Sequence, residues 1–475
     1  MSHRLGTLGP LLGLCILLSA ASCRGPRREG LAETDFSNVH LDSNGRKGGQ
    51  SQSTEALGRL LQLDQVLDLA VNQGLDMALA RTRLSISAAE AQMARAAWIP
   101  ELSFSADTWH NDGSVQATDG IFSPQNKRNA REGVGLSLEL DLADALFAPR
   151  AANERLAAQR SLTDAARQST RQRAAILFLN LLEAQFEVEI AFEARSHAQE
   201  LERVEGARFE GGAGLEVNYQ RAVAHTAQVS ALVVEADRRR SVAAARLAMH
   251  LDLDPGRDWQ AQAPLTLEQW AGGDDLMAEL DLGGEDSEEG DLSLAERARL
   301  QRPELAAAQA RVRAARLEAR GESRRWLLPT FQASVFEGEF GPELGEGSDS
   351  MVHALGVSWN LGLGMAGQAK RARAREAQAV LELAQLRRLI EAQVAEAGAG
   401  LEAAVSRHDL AQARLSAADA GARLAEERHA AGAGLLLEAL AAQSDLVGAS
   451  MAVARARVDR LRATWILARA LGQNR

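Results

Sequence analysis

The sequence predicts a mostly α-helical protein that also carries part of a membrane β-barrel. Three features point there: the chain is internally duplicated, each copy holds two strand segments that alternate apolar and polar residues, and each copy holds one helical run too long for a globular core.

The duplication fixes the order of the elements. In the first copy Ala97-Trp98-Ile99-Pro100 precedes Leu102-Ser103-Phe104-Ser105-Ala106, and in the second Trp326-Leu327-Leu328-Pro329 precedes Phe331-Gln332-Ala333-Ser334-Val335. Gly133-Val134-Gly135-Leu136-Ser137-Leu138 pairs with Ala354-Leu355-Gly356-Val357-Ser358-Trp359. Glu210-Gly211-Gly212-Ala213-Gly214-Leu215 pairs with Ala430-Ala431-Gly432-Ala433-Gly434-Leu435. The expected organisation is a secretory signal over 1–22, a flexible tether over 23–56, a first repeat over 57–259, an acidic Gly-rich joining segment over 260–293 and a second repeat over 294–475.

The signal rests on His3 and Arg4, the apolar run Leu8 to Leu18 and the small residues Ser19-Ala20-Ala21-Ser22. The run is shorter than the ~20 residues that cross a bilayer. Both cysteines of the chain, Cys15 and Cys23, fall in this region, so the rest of the chain has no disulfide and no cysteine metal site. Small residues running into Cys23 resemble a bacterial lipoprotein processing site, with Ala20 where that motif usually has Leu; ordinary cleavage is the alternative. If Cys23 is acylated, Arg24 rather than Asp behind it favours the outer membrane.

Each repeat opens with a helical stretch, about 61–97 and about 294–327, and the strands follow at about 101–110, 133–142, 330–339 and 353–363. Leu102, Phe104 and Ala106 alternate with Ser103, Ser105 and Asp107, and Val134, Leu136, Leu138, Leu140 and Leu142 alternate with Gly135, Ser137, Glu139 and Asp141. Phe331, Ala333 and Val335, then Leu355, Val357, Trp359, Leu361 and Leu363, repeat the pattern. Such segments suit either hairpins on a soluble core or tilted strands between lipid and a wet lumen. Length, secretion and polarity favour the membrane. Four strands cannot close a barrel, and open edges in lipid cost several kcal/mol per unpaired group, so the barrel must be shared; three copies give twelve strands. The loops Asn111–Arg131 and Gly341–Ser350 are then expected outside the cell.

The rods come next. Between Ala143 and Phe209 the one proline is Pro149, near the start where a helix tolerates it, and at ~1.5 Å per residue the run makes a rod of about 100 Å. Ala174, Leu177, Leu181, Ala184, Val188 and Ala191 keep the coiled-coil period, as do Leu383, Leu386, Ile390, Val394, Ala397, Leu401 and Ala404. Neither rod is apolar all round, so neither crosses a membrane. Each turns at its glycine cluster and returns as a second helix, about 216–250 and 436–471.

Composition narrows the function. Aromatics are only 4% of 475 residues, which suits close-packed helices better than large compact cores. A net charge of -11 argues against a nucleic-acid partner, and Arg238-Arg239-Arg240 reads as a solvated helix surface. No catalytic constellation, cofactor motif or paired metal spacing is present, and Asp274-Asp275 belong to the acidic joining segment.

The duplicated plan resembles the TolC-type outer-membrane efflux proteins over about residues 57 to 472. The carrying segments are Leu69-Ala70-Val71-Asn72 through Pro100, the strand motifs around Gly135 and Gly356, and the two glycine turns followed by Val217-Asn218-Tyr219 or Leu437-Glu438-Ala439. The resemblance implies a homotrimer with a 12-stranded β-barrel in the outer membrane, continued by a long periplasmic α-helical barrel. It implies an exit duct of a tripartite pump, working with a periplasmic adaptor and an inner-membrane transporter, with no catalytic residue. Type I protein secretion uses the same piece, metal export stays open, and a soluble periplasmic coiled-coil scaffold or adaptor is the rival that would not need strands. By resemblance, Glu438 and Asn218 fall at the periplasmic gate, with Ala441 in place of a second acidic residue and Arg221 beyond Asn218. Three Glu438 carboxylates in one pore would favour cations; an ordinary exposed helix residue is the alternative. Gly212, Gly214, Gly432 and Gly434 end helices and, by resemblance, meet the adaptor.

Overall fold

The structure is a computed structural model that describes residues 60–116, 118–262 and 293–473. The expected signal, Cys23, the tether and most of the acidic joining segment lie outside the described residues.

The two repeats fold alike. After a short strand β1 (Leu60–Leu61), the first repeat runs α1 (Leu63–Asn72), α2 (Leu75–Ala96), β2 (Glu101–Gln116), β3 (Phe122–Asp141), α3 (Leu142–Glu210) and α4 (Glu216–His250). Strand β4 (Gln260–Ala261) pairs in parallel with β1. The second repeat runs α5 (Leu294–Gln301), α6 (Pro303–Arg324), a short 3-10 turn, β5 (Thr330–Gly341), β6 (Ser348–Ser358), α7 (Gly364–Ala430) and α8 (Leu436–Leu471).

Local chemistry explains the boundaries. The single helix expected at the start of each repeat is broken in two, because Gly74 parts α1 from α2 and Pro303, at the first position of α6, ends α5. Ser293 and Glu296 form a capping box at the start of α5. Asp141 caps α3 by accepting from the amides of Ala143 (2.9 Å) and Asp144 (3.2 Å), which takes Leu142 out of the strand where alternation had placed it. Pro149 inside α3 cannot donate to the Ala145 carbonyl, and the indole N–H of Trp98 donates to that carbonyl instead, at 3.1 Å.

Rods α3 and α7 are 69 and 67 residues long, about 100 Å each at ~1.5 Å per residue. Their seams are buried as the spacing requires: Ala174, Leu181, Ala184 and Ala191 on α3, Ile390, Val394, Ala397 and Ala404 on α7. The α7 seam packs on Ala298, Leu305, Leu467, Ala470 and Leu471, so the core is a stripe along the bundle. Buried Glu187 ties α3 to α4 through Arg239 (2.8 Å) and to α8 through Arg455 (2.7 Å). Helix α8 has one stretch long and apolar enough to cross a membrane. Leu436, Ala439, Leu440, Ala449, Met451 and Val453 are buried, which turns that stripe into the bundle instead.

The strands differ from expectation at their ends. Asn111–Arg131 is not a loop: β2 continues to Gln116, β3 starts at Phe122, and the ladder closes at Gln116 opposite Phe122. Antiparallel pairing needs only backbone, and where both faces meet water no apolar alternation is left to mark it. The second loop shortens to 342–347. Strand β6 runs earlier than 353–363, since Ser358 pairs with Thr330, the first residue of β5, and Trp359 to Leu363 have no strand opposite them.

Candidate functional site

Four strands form one antiparallel sheet in the order β2-β3-β5-β6, so the two hairpins join at β3 and β5. The register aligns side chains into rows. On one face lie Leu140, Phe331 and Val357, then Leu138, Ala333 and Leu355, then Leu102, Leu136, Val335 and His353, then Phe104, Val134, Glu337 and Met351. Two residues per row at ~3.4 Å make these rows about 20 Å tall, close to the ~25 Å lipid-facing band of outer-membrane barrels. Beyond them Glu132, Glu339 and Asp349 stand side by side and end the apolar band.

The opposite face is mostly polar: Ser103, Ser105, Asp107, Ser137, Ser334 and Ser350 lie on it, with Trp109, Phe336, Phe340 and Val352 among them. Arg131 reaches Asp107 across the strands at 3.0 Å and stacks 5.0 Å over the ring of Phe336. That ring lies against Gly133 and Gly135. Gly133 faces Gly338 across the β3–β5 join, where a Cβ on either would run into the opposite carbonyl.

Neither face packs on the helices. Phe104 is 77% exposed and Leu355 83%, which is the wrong environment for hairpins seated on a soluble core. The outer edges of β2 and β6 have no strand partner among the described residues.

At the far end of the rods the two glycine turns are superimposable in their bonding. Gly212 and Gly432 adopt φ of +73° and +71°, and the amides of Ala213 and Gly214 donate to the Arg208 carbonyl as those of Ala433 and Gly434 donate to that of Arg428. Gly214 and Gly434 are needed for closeness, since a Cβ would meet the preceding turn at 2.9 and 3.1 Å. Asn218 is half-buried in the first turn of α4, and Glu438 is exposed in the first turn of α8.

The structure brings the two turns together through residues that sequence reasoning passed over. Buried Glu205 on α3 accepts from Arg208 (2.9 Å) and lies 3.0 Å from His429 Nε2 on α7. His429 Nδ1 faces the carbonyl of Gly434 at 3.3 Å, and Arg208 lies 3.2 Å from the same imidazole. The available signal was Arg four residues before the first positive-φ glycine in both repeats, at Arg208 and Arg428, with a titratable residue beside it only in the second. Just above, a cavity of about 530 Å³ opens between the hairpins, lined by His197, His225, Glu426 and Val447. Burial lowers the pKa of His225. Among the described residues no group of His, Cys, Asp or Glu is arranged to hold a metal ion.

An open-edged sheet with one greasy face, standing on a bundle of long helices with packed seams, defines the class of protein. Residues 66–251 and 294–473, one stretch per repeat, match the family described as outer membrane efflux protein, and the chain belongs to that family, whose members are passive outer-membrane channels and not enzymes. Its fold is similar to that of the CmeC outer membrane channel of Campylobacter jejuni, at 19% identity and a TM-score of 0.73 over 87% of this chain and 86% of that one. VceC, an outer membrane protein of Vibrio cholerae, is similar at 18% identity and a TM-score of 0.71, over 86% of this chain and 96% of that one. The MtrE outer membrane channel of Neisseria gonorrhoeae is similar at 21% identity and a TM-score of 0.65, over 86% and 88%. No curated protein matches the chain in sequence.

Proposed function

We propose that three copies close into a ring, β2 of each pairing with β6 of the next, and form a 12-stranded outer-membrane barrel continued across the periplasm by the helical rods. The duct is the exit piece of a tripartite efflux pump, receiving substrate from a periplasmic adaptor and an inner-membrane transporter and conducting it outward without chemistry. The observation that carries this reading is the sheet: its apolar face is exposed and its two edges are unpaired, and both faults are removed by lipid outside and sister chains beside. The polar face with Arg131 and Asp107 then lines water. At the periplasmic mouth Glu438 gathers negative potential, with Asn218 beside it in the other repeat, and the turns at Gly212, Gly214, Gly432 and Gly434 receive the adaptor. Acylation of Cys23 adds a lipid anchor.

The test is assembly and conductance together. The purified mature chain should migrate as a trimer and give discrete currents in planar bilayers; a monomer indifferent to lipid and without currents refutes the duct. E438A should weaken cation preference, and an unchanged preference removes the gate from Glu438. C23S should abolish incorporation of labelled palmitate, and persistent label places the lipid elsewhere.

A further inference from the structure

The two repeats differ where their strands pass into the rods. In the first, Asp141 caps α3, Asp144 follows it, both pair with Arg325, and Trp98 is drawn onto the Ala145 carbonyl that Pro149 frees. In the second, the corresponding residues of the rod are Gly362, Met365, Ala366 and Lys370, and the tryptophan, Trp326, stands one position earlier, opposite Ala97. No side chain caps the N-terminus of α7, and Lys370 at the proline's place leaves the Ala366 carbonyl to its own helix. Trp326 therefore has nothing to close upon, and it donates no hydrogen bond among the described residues.

What remains is an open groove of about 580 Å³ between the end of α6 and the start of α7, a size that suits a small-molecule ligand. Leu361 and Leu363, in the segment between β6 and α7, line it with Trp326 and Met365, which complete an apolar floor. Leu363 is 102% exposed, so the chain itself covers none of it. Lys370 and Arg373 stand at the end away from the sheet, one helical step apart, exposed and without an ion-pair partner among the described residues. Their counterparts in the first repeat are Pro149 and Ala152. Cα–Cβ bonds tilt toward the start of a helix, so both cations lean back toward the groove. The uncapped amides of α7 add positive potential at the same place.

We propose that this groove binds one anionic glycerophospholipid of the periplasm-facing leaflet, its acyl chain on Trp326, Leu361, Leu363 and Met365 and its phosphate between Lys370 and Arg373. The inference rests on the bilayer reading of the sheet. Order along the helix argues for a lipid: the apolar residues lie next to the strands, where hydrocarbon is, and the cations lie beyond them, where headgroups are. Net charge of the site argues for an anionic one, since Glu322, the acidic residue lining the groove, is engaged by Arg325.

The experiment uses the assembled full chain, released from detergent in a native mass spectrometer after incubation with phosphatidylglycerol or phosphatidylcholine bearing the same palmitoyl and oleoyl chains. The wild type should retain one phosphatidylglycerol per chain and little phosphatidylcholine. K370E/R373E should lower that retention about tenfold or more, at ~1 kcal/mol per cation near a headgroup, and the charge-matched K127E/R128E on the distant hairpin should not. Equal retention by K370E/R373E, or equal retention of the two lipids, overturns the site. So does protection of L363C, in a C23S background, from maleimide in assembled lipid-free protein, because a sister chain would then fill the groove. Currents are recorded in parallel in phosphatidylcholine bilayers: wild-type silence refutes the duct, whereas normal currents with phosphatidylglycerol retained equally by K370E/R373E refute only the lipid site.

Discussion

Glu205 offers the sharpest test of how the two hairpin ends are held. Its carboxylate is 2% exposed and receives Arg208 from its own helix while facing His429 from the other repeat. E205Q keeps the shape and removes the charge. A hydrogen bond to a charged group contributes ~1.5–3 kcal/mol net, and Arg208, a third exposed, keeps its own hydration, so the loss should be about 2 kcal/mol, below the ~3–5 of a fully buried pair cut in half. Applied to an equilibrium between joined and parted ends, that raises the parted population about 30-fold. Spin labels at Ala213 and Ala433, in a C23S background, read it as a dipolar distance: narrow in the wild type, with a longer component in E205Q. The bulk helical melt should move little, because the staple sits at the ends of the rods and not in the seam. A distance distribution identical to the wild type would refute the idea that this cluster joins the ends.

Other predictions follow from single features. Burial lowers the pKa of half-buried His225, His250 and His408 below the usual 6.5, so below that pH the unfolded chain binds more protons than the folded one. Melting temperature should therefore fall as pH drops from about 6.5 toward 5 and stay level above it; a flat profile would contradict the burial. W98F should cost about 0.5–1.5 kcal/mol in chemical denaturation and W326F less, since only Trp98 donates to a carbonyl left free by a proline. G338V should prevent formation of the heat-stable oligomer on denaturing gels, because its Cβ collides with the Glu132 carbonyl across the ladder. G432V, at φ +71°, should cost about 1–3 kcal/mol locally, seen as faster amide exchange at the α7–α8 turn.

The fold was legible where one residue type dictates one conformation. Gly211 to Gly214 and Ala431 to Gly434 placed the hairpin ends, and the Ala–Leu seams on α3 and α7 were readable from spacing because burial along a bundle is periodic. Strand ends were not. The outer half of the β2–β3 hairpin is wet on both faces, so Asn111 to Gln116 carry no alternation although their backbone is fully paired. The staple of Glu205, Arg208 and His429 was invisible for a different reason: it joins positions 224 residues apart, and only the docking of two rods makes them neighbours. The same holds for Glu187, whose partners Arg239 and Arg455 come from two other helices and both repeats.

Divergence of the repeats explains why a duplicated chain builds two kinds of junction from one plan. Within a chain, α3 meets the end of α6 through Arg325, which pairs with Asp141 and Asp144 while its own turn adds Glu322. The desolvation of that guanidinium is more than offset by these carboxylates, and its pKa is raised. In the proposed ring α7 meets the next copy's α2 at the equivalent place, where Arg325 is replaced by Ala96 and the capping Asp141 by Gly362. An ionic triad in that position would have to be desolvated at each subunit encounter, a cost that grows with every charge taken from water. Apolar residues lose nothing by waiting, and they gain by being covered. The charged junction therefore belongs where the chain folds once and stays closed, and the apolar one where separate chains and lipid must come together.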